Sequence, residues 1–377
     1  MPVSEIPFHQ ADISEADVAA VASVLQSGWL TTGVVGRDVE ERLSTLSGGS
    51  AVLMASCTHA LEGVLSSLDL VDGDEVLVPS MTFTATAASV VRAGGNPVWV
   101  DIDPDSGLVT VETLQAALTT RTRAVITVDY AGYGVDYPVI AGWCKQRHLT
   151  FISDAAHSFG LKIGRQDPAD FADAVCYSFY VTKNITSGEG GAVVTADAAL
   201  AGRLRHWRLH GLTAGAEDRY RTGAADYDVV DLGAKANLTD VASALLRSQL
   251  DRYQEIEHAR RRVAQRYLEG LSGIDERLIL PPSSAECVWH LFAIRVPASI
   301  RGQVRESLSA QGVGTSIHFR PLHQMAYWSR FPPTGLLKAT GQWGETEVSL
   351  PIYSRMTVDQ VDQVVEAVQA ALSQQNA

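Results

Sequence analysis

Lys183 stands in S-F-Y-V-T-K-N-I-T-S-G-E-G-G, residues 178–191, between a short aromatic and β-branched run and a glycine-dense turn. At the edge of a buried strand an ammonium does little for solubility. Desolvation or neighbouring charge lowers the pKa of such a lysine and frees its amine as a nucleophile, whose usual partner is a carbonyl. About one βα unit upstream, T-F-I-S-D-A-A-H places Asp154 just past a strand-like run, with His157 following. In open parallel sheets ligands bind outside the carboxyl ends of the strands. A carboxylate there can hold a protonated ring nitrogen. Taken singly, Asp154 reads better as a helix N-cap and Lys183 as a surface ion-pair partner.

A-S-C-T-H-A-L, residues 55–61, links a strand to a helix. Backbone N–H groups at that helix start, around Ser56, Cys57 and Thr58, suit either simple capping or a bound dianion. Ser178 is a further hydroxyl donor close in sequence to Lys183. Phe83 lies just past another strand-like run and can stack on a planar ring, though core packing is the usual use of a lone aromatic. Amine, carboxylate and anion cradle together match what pyridoxal phosphate needs: a lysine for its aldehyde and a carboxylate for its pyridinium nitrogen.

The elements that must position these groups are legible as alternation. Short apolar runs at 51–54, 75–78, 97–100, 124–128, 150–152 and 191–194 read as strands; 60–68, 84–93, 110–118 and 137–147 read as helices. The strand runs are continuous in apolar character, as expected where both faces are covered. An α/β fold follows, with a large α-β-α sandwich. A long helical pattern starts at the N-cap pair Thr239-Asp240 and runs towards Leu268. Beyond it, 290–296, 301–311, 314–319 and 358–372 suggest a smaller α+β lobe. The expected division is a large domain with an N-terminal arm over 1–250 and a small C-terminal domain over 251–377.

Bulk properties narrow the partners. Of 377 residues, 46% are apolar and 19% charged, which suits a well-buried globule. The formal net charge of −13 argues against nucleic acid or an anionic membrane, since both need a cationic face. Arg203, Arg205 and Arg208 form one basic cluster, read as a solvated helix face. Cys57, Cys144, Cys176 and Cys287 show no metal-like spacing and read as reduced, mostly buried thiols. No secretory signal or bilayer-spanning run is visible. The expected location is cytoplasmic.

Beyond these pieces the chain resembles the DegT/DnrJ/EryC1/StrS sugar aminotransferases, fold-type I pyridoxal-phosphate enzymes acting on nucleotide-linked keto sugars. The resemblance runs nearly end to end. It is carried by S-G-W-L-T-T-G from 27, V-P-S-M-T-F-T-A-T from 78, V-D-I-D-P from 100 and D-A-A-H from 154. S-F-Y-V-T-K-N from 178, G-E-G-G from 188 and G-T-S-I-H-F-R-P-L-H from 314 complete it.

The resemblance implies a homodimer with shared active sites. In it Lys183 would bond the cofactor's aldehyde, Asp154 would pair with the pyridinium nitrogen, and His157 and Phe83 would flank the ring. Ser178 with the Cys57-Thr58 backbone would bind phosphate. A segment commonly written G-Y-N-Y-R-M-T-D supplies phosphate contacts from the neighbouring subunit. Here it reads G-A-K-A-N-L-T-D from 233, so Lys235 and Asn237 replace asparagine and arginine, as in 4-aminotransferase branches. Cys57 stands where glycine is commoner. Trp29, Leu30 and Thr31 would line the substrate entrance; the roles of His318, His323 and Arg320 stay open.

One branch has histidine in place of the lysine and deoxygenates, and Lys183 speaks against it. The implied reaction transfers an amino group from L-glutamate to a dTDP- or UDP-linked 4-keto-6-deoxyhexose. The alternatives are a cyclitol ketone or other free carbohydrate as acceptor, or a non-catalytic binding regulator.

Overall fold

The computed structural model describes residues 5–215 and 227–374. Seven strands, β1 (Ser50–Met54), β2 (Glu75–Pro79), β3 (Asn96–Val100), β4 (Thr122–Val128), β5 (Thr150–Asp154), β6 (Ala174–Ser178) and β7 (Gly191–Thr195), form one sheet. Their order is β1-β7-β6-β5-β4-β2-β3, with only β7 antiparallel to its neighbours. The continuous apolar runs split by parity. Leu53, Leu77, Val125, Phe151 and Val175 enter one core, while Val52, Val76, Ala124, Ile152 and Ala174 enter the other. Period-two side chains on strands covered from both sides require this.

Six strands lie where the sequence places them, to within two residues. The seventh, β6, does not stand out in the sequence because its five residues run straight into the aromatic stretch that follows. Lys183 is therefore not at a strand edge. Beyond Ser178 the chain folds back on itself: Phe179 O accepts from Ser187 N (3.0 Å), and Tyr180 O accepts from Lys183 N (2.9 Å). Those bonds consume the carbonyls that a continued ladder would need, and the lysine sits in a compact turn five residues past β6.

The pattern from Thr239 to Leu268 is two helices, Asp240–Asp251 and Tyr253–Leu271, broken at Arg252 (φ −119°). The Arg252 guanidinium holds Asp12 (3.1 Å) and Asp17 (2.9 Å) at the break. Thr239 alone is the N-cap, accepting from Ala242 N at 3.2 Å. Asp240, 1% exposed, serves a different helix. Its carboxylate accepts from the backbone N–H groups of Gly33 (2.8 Å), Gly36 (2.9 Å) and Val35 (3.2 Å), the start of helix Val34–Ser47. Gly33 has no side chain to cap with, so a carboxylate two hundred residues away satisfies those donors and complements the helix dipole.

Towards the C-terminus β8 (Phe292–Arg295) and β9 (Glu347–Leu350) pair antiparallel under helices Ala298–Ala310 and Val358–Ser373. Phe292, Ile294, Val348, Leu350, Val364 and Val368 form a third core. The run at 314–319 is not a strand; its backbone pairs with β9 at the bridge Ser316 to Ser349, and His318 adds side-chain bonds to the same strand. Ile6 of the N-terminal arm joins the same core, its N–H donating to Gly312 O at 2.8 Å.

The basic cluster is a solvated face only in part: Arg205 is exposed and Arg203 half-buried. Arg203 binds Asp69 (2.8 Å) and Asp231 (2.9 Å), and buried Arg208 binds Glu40 (2.5 Å) and Leu53 O (2.7 Å). All four cysteines are free and buried. Among the described residues no helix is long and apolar enough to cross a membrane.

Candidate active site

A cavity of about 570 Å³ opens at the carboxyl ends of the strands, and Asp154, His157, Ser178 and Lys183 line it together. Asp154 is the last residue of β5 and is 6% exposed. Thr86 Oγ1 donates to its Oδ2 at 2.8 Å and Ala156 N to its Oδ1 at 3.2 Å. The Cys57 thiol lies 3.8 Å from Oδ1. Burial pushes the Asp154 carboxyl up, while Thr86, Ala156, the Lys183 ammonium and Cys57 act to hold it down. A carboxylate made harder to ionise by burial gains from a cationic hydrogen-bond donor.

Lys183 is brought down to about 8 by burial, with the neighbouring Cys57 and Asp154 opposing the drop. Its amine is accordingly free in a much larger fraction than that of a surface lysine. Three imidazoles surround it and none is charged at neutral pH. Burial and Lys183 push His157 and His290 well below the ordinary histidine range and bring His318 to about 4. The His157 ring packs against His290 (centroids 4.3 Å) and Phe319 (5.9 Å, interplanar 20°). Asn184 ties the lysine turn to the segment before β8: its Nδ2 donates to Val288 O (2.8 Å) and its Oδ1 meets His290 Nδ1 (3.2 Å).

The anion cradle follows from a helix start. Ser56 is the N-cap of helix Cys57–Ser66, accepting from His59 N at 3.1 Å, which puts Cys57 and Thr58 in the first turn, where N–H groups have no intrahelical acceptor. So Ser56 does the capping, and Cys57 and Thr58 remain as donors lining the cavity. Gly191, at the start of β7, packs against this turn. A Cβ on Gly191 would meet Ser56 C at 2.4 Å and Cys57 N at 2.5 Å, so only glycine admits the approach. Ser178, 7% exposed at the end of β6, presents its hydroxyl from the adjacent strand.

A half-buried lysine, a strand-end carboxylate and an open helix start in one cavity recur across many enzymes, so the whole chain has to decide the class. A model of the DegT/DnrJ/EryC1/StrS aminotransferase family matches residues 11–369. The chain belongs to that family. Among solved structures, this aminotransferase is similar to Helicobacter pylori PseC, an aminotransferase involved in the biosynthesis of pseudoaminic acid. The TM-score is 0.92 and the identity 27%, over 98% of this chain and all of that one. The PLP-form of the sugar aminotransferase Spr1654 from Streptococcus pneumoniae aligns at TM-score 0.90 and 30% identity, over 98% and 99% of the two chains. DesV of S. venezuelae aligns at 0.86 and 30%, over 94% and 93%. The fold is thus the α/β fold of pyridoxal-phosphate-dependent sugar aminotransferases.

In the aminotransferase chain not every residue singled out from sequence meets at the cavity. Phe83 is on its rim, 61% exposed, with its ring 6.4 Å from Phe319. Lys235 and Asn237 are not among the lining residues. Lys235 Nζ binds Asn237 Oδ1 (2.5 Å) and Asn237 Nδ2 binds Thr32 Oγ1 (2.6 Å). Trp29, Leu30 and Thr31 lie on that same outer face; Trp29 Nε1 donates to Thr32 O at 3.2 Å, and Thr31 O accepts from Asp240 N. His323 is tied to Ser80 (2.7 Å) and Arg320 to Gln324 O, both outside the cavity lining. His318 is in it.

Sequence reasoning missed Phe8, His9, Thr86 and His290. Phe8 and His9 come from the arm, Phe8 stacking on His318 at 5.7 Å. No local signal marks them. Thr86 was within reach, since it lies one helical turn past Phe83 in a quoted motif.

Proposed function

We propose that this aminotransferase uses pyridoxal phosphate to move an amino group from L-glutamate to the ketone of a nucleotide-linked sugar, within that class a dTDP- or UDP-4-keto-6-deoxyhexose. The observation that carries the reading is Lys183 and Asp154 in one cavity, each driven by burial towards its neutral form. The residues fit the cofactor. Asp154 accepts a ring N–H⁺, the first turn at Cys57 and Thr58 with Ser178 receives a phosphate, and neutral His157 offers a ring face rather than a competing charge.

When bound, pyridoxal phosphate supplies an aldehyde that condenses with amines and a protonated ring that withdraws electrons from a breaking C–H bond. Lys183 Nζ would hold the cofactor's aldehyde at rest. Displaced by the amino donor, the free amine would be the base that accepts the donor's α-proton and later gives it back. Its lowered pKa suits both directions of that transfer. Asp154 would keep the ring nitrogen protonated. Phe319 and His290, packed against His157, keep that ring from swinging aside.

Exposed Phe83 and the open face carrying Lys235, Asn237 and Leu30 support a homodimer in which a second copy completes each site. Leu232, 90% exposed, and Val229, 60%, lie close by in sequence. Lys235 and Asn237, at positions that commonly hold asparagine and arginine, support the 4-keto class. The four free thiols accord with a cytoplasmic setting.

The test is direct. The loaded enzyme should show visible absorbance that glutamate bleaches and a nucleotide-linked 4-keto sugar restores. Lys183→Ala should lose both that absorbance and multiple turnover. Restoration by scyllo-inosose and not by nucleotide sugars would overturn the substrate class; an unchanged Lys183→Ala enzyme would overturn the site.

A further inference from the structure

Glu347 has no place in the chemistry above, yet it is fully buried beside the cavity wall. Its Oε2 accepts from the backbone N–H of His318 at 2.8 Å. Its Oε1 is hydrogen-bonded to Ser349 Oγ, and Ser349 Oγ in turn meets His318 Nδ1 at 2.8 Å. The three residues close a ring of hydrogen bonds, leaving Nε2 as the ring nitrogen available to the cavity. We propose that Glu347, acting through Ser349, decides which nitrogen of His318 carries the proton, and so whether His318 offers the substrates a donor or an acceptor at Nε2. Glu347 is a positioning residue in this arrangement.

The direction of the ring follows from counting hydrogens. The His318 backbone N–H always claims Oε2 as its acceptor. A carboxyl proton must then sit on Oε1 and point at Ser349, whose own hydrogen turns to His318 Nδ1. The imidazole hydrogen is left on Nε2, a donor. With Glu347 ionised the chain runs the other way: Nδ1–H points at Ser349, Ser349 at Oε1, and Nε2 carries a lone pair.

Burial pushes Glu347 up to about 8, against Ser349, the His318 N–H and the Arg301 and Arg305 guanidiniums of helix Ala298–Ala310. Tyr130, which also faces Glu347, is held neutral by burial and by that carboxyl, with Arg295 opposing, and its hydroxyl proton goes to His318 O at 2.6 Å rather than to Glu347. Facing His318 from the cavity are Lys183 and the neutral imidazoles of His157 and His290. His318 itself, at about 4, stays neutral. At neutral pH Glu347 therefore holds its proton and His318 presents N–H. The complement is an acceptor oxygen, such as a ketone or carboxylate oxygen of the two substrates.

This deepens the amino-transfer reading by naming what His318 offers, and rests on it for the substrates' identity. The test is the nitrogen NMR spectrum of the cofactor-loaded, ¹⁵N-histidine-labelled full chain, with His318→Gln used to assign the signals. In wild type the proton should sit on Nε2 at neutral pH and shift to Nδ1 as pH rises through about 8. In Glu347→Gln the amide oxygen keeps the His318 N–H and the amide NH₂ points at Ser349, so the proton should stay on Nε2 throughout. A wild-type tautomer that does not change over this range overturns the inference, whether or not the variant folds. So does a Glu347→Gln protein that switches like wild type. No turnover enters the measurement, so neither result touches the amino-transfer reading.

Discussion

Thr86 donates a 2.8 Å hydrogen bond to Asp154 although 68 positions separate them, and Thr82 meets Thr86 at 2.7 Å behind it. The chain Thr82–Thr86–Asp154 steers one carboxylate oxygen from the helix that follows β2. A hydrogen bond to a charged group contributes roughly 1.5–3 kcal/mol. Thr86→Val should therefore weaken cofactor binding by about tenfold or more, with Asp154 still harder to ionise, and Thr86→Ser should recover most of it. Titrating the cofactor-free protein with pyridoxal phosphate reads this; unchanged affinity in Thr86→Val would remove Thr86 from the site.

A lysine brought from 10.5 to about 8 strains the cofactor-free fold. At about 1.4 kcal/mol per pKa unit this amounts to at most about 3 kcal/mol. The sign follows from linkage: the folded state disfavours the charged lysine, so the cost is full below about 8 and vanishes as pH rises to the unfolded value. Cofactor-free Lys183→Met should thus be more stable than wild type at neutral pH, with the gap closing in alkali. Urea unfolding at two pH values measures it; equal stabilities at neutral pH would contradict the burial.

Gly191→Ala places a methyl against backbone atoms of Ser56 and Cys57 that cannot rotate away. Overpacking of this kind costs about 1–3 kcal/mol. Because the strained partner is the anion cradle, cofactor affinity should fall along with the melting temperature. A variant that melts early but binds normally would separate Gly191 from the cradle.

Asp240→Ala leaves three N–H groups at the start of helix Val34–Ser47 without their carboxylate. Losing a cap costs about 0.5–2 kcal/mol, and Asp240→Asn should recover part through its remaining oxygen. Denaturant midpoints compare the two.

Replacing Arg208 by methionine should cost more, up to about 3–5 kcal/mol, since buried Glu40 keeps only the longer 3.9 Å pairing with Arg205 and the Leu53 N–H. Converting Glu40 to glutamine as well should restore part of that loss. No rescue in the double variant would assign the cost to packing.

Much of this was legible in the chain. Period-two burial wrote β1 to β5 and β7 as continuous apolar runs, and D-A-A-H after one of them put a carboxylate at a strand end. The S-F-Y-V-T-K run was legible as chemistry but misleading as structure. Side-chain type announced an amine, whereas the backbone bonds of Phe179 and Tyr180 that turn the chain are set by contacts no local pattern encodes. Thr239-Asp240 shows the same limit: both are good N-caps, and only the presence of Gly33 nearby in space decides that Asp240 serves another helix.

The sequence by itself determined the alternation of elements and the family the chain belongs to, and it singled out the amine, the carboxylate and the helix start that meet in the cavity, because these depend on residue type and short spacing. The tertiary structure alone decided the company those groups keep: Thr86 on Asp154, three neutral imidazoles around Lys183, and Glu347 behind His318. Those relationships join residues tens to hundreds of positions apart, and desolvation, which sets their protonation, exists only once the chain has packed.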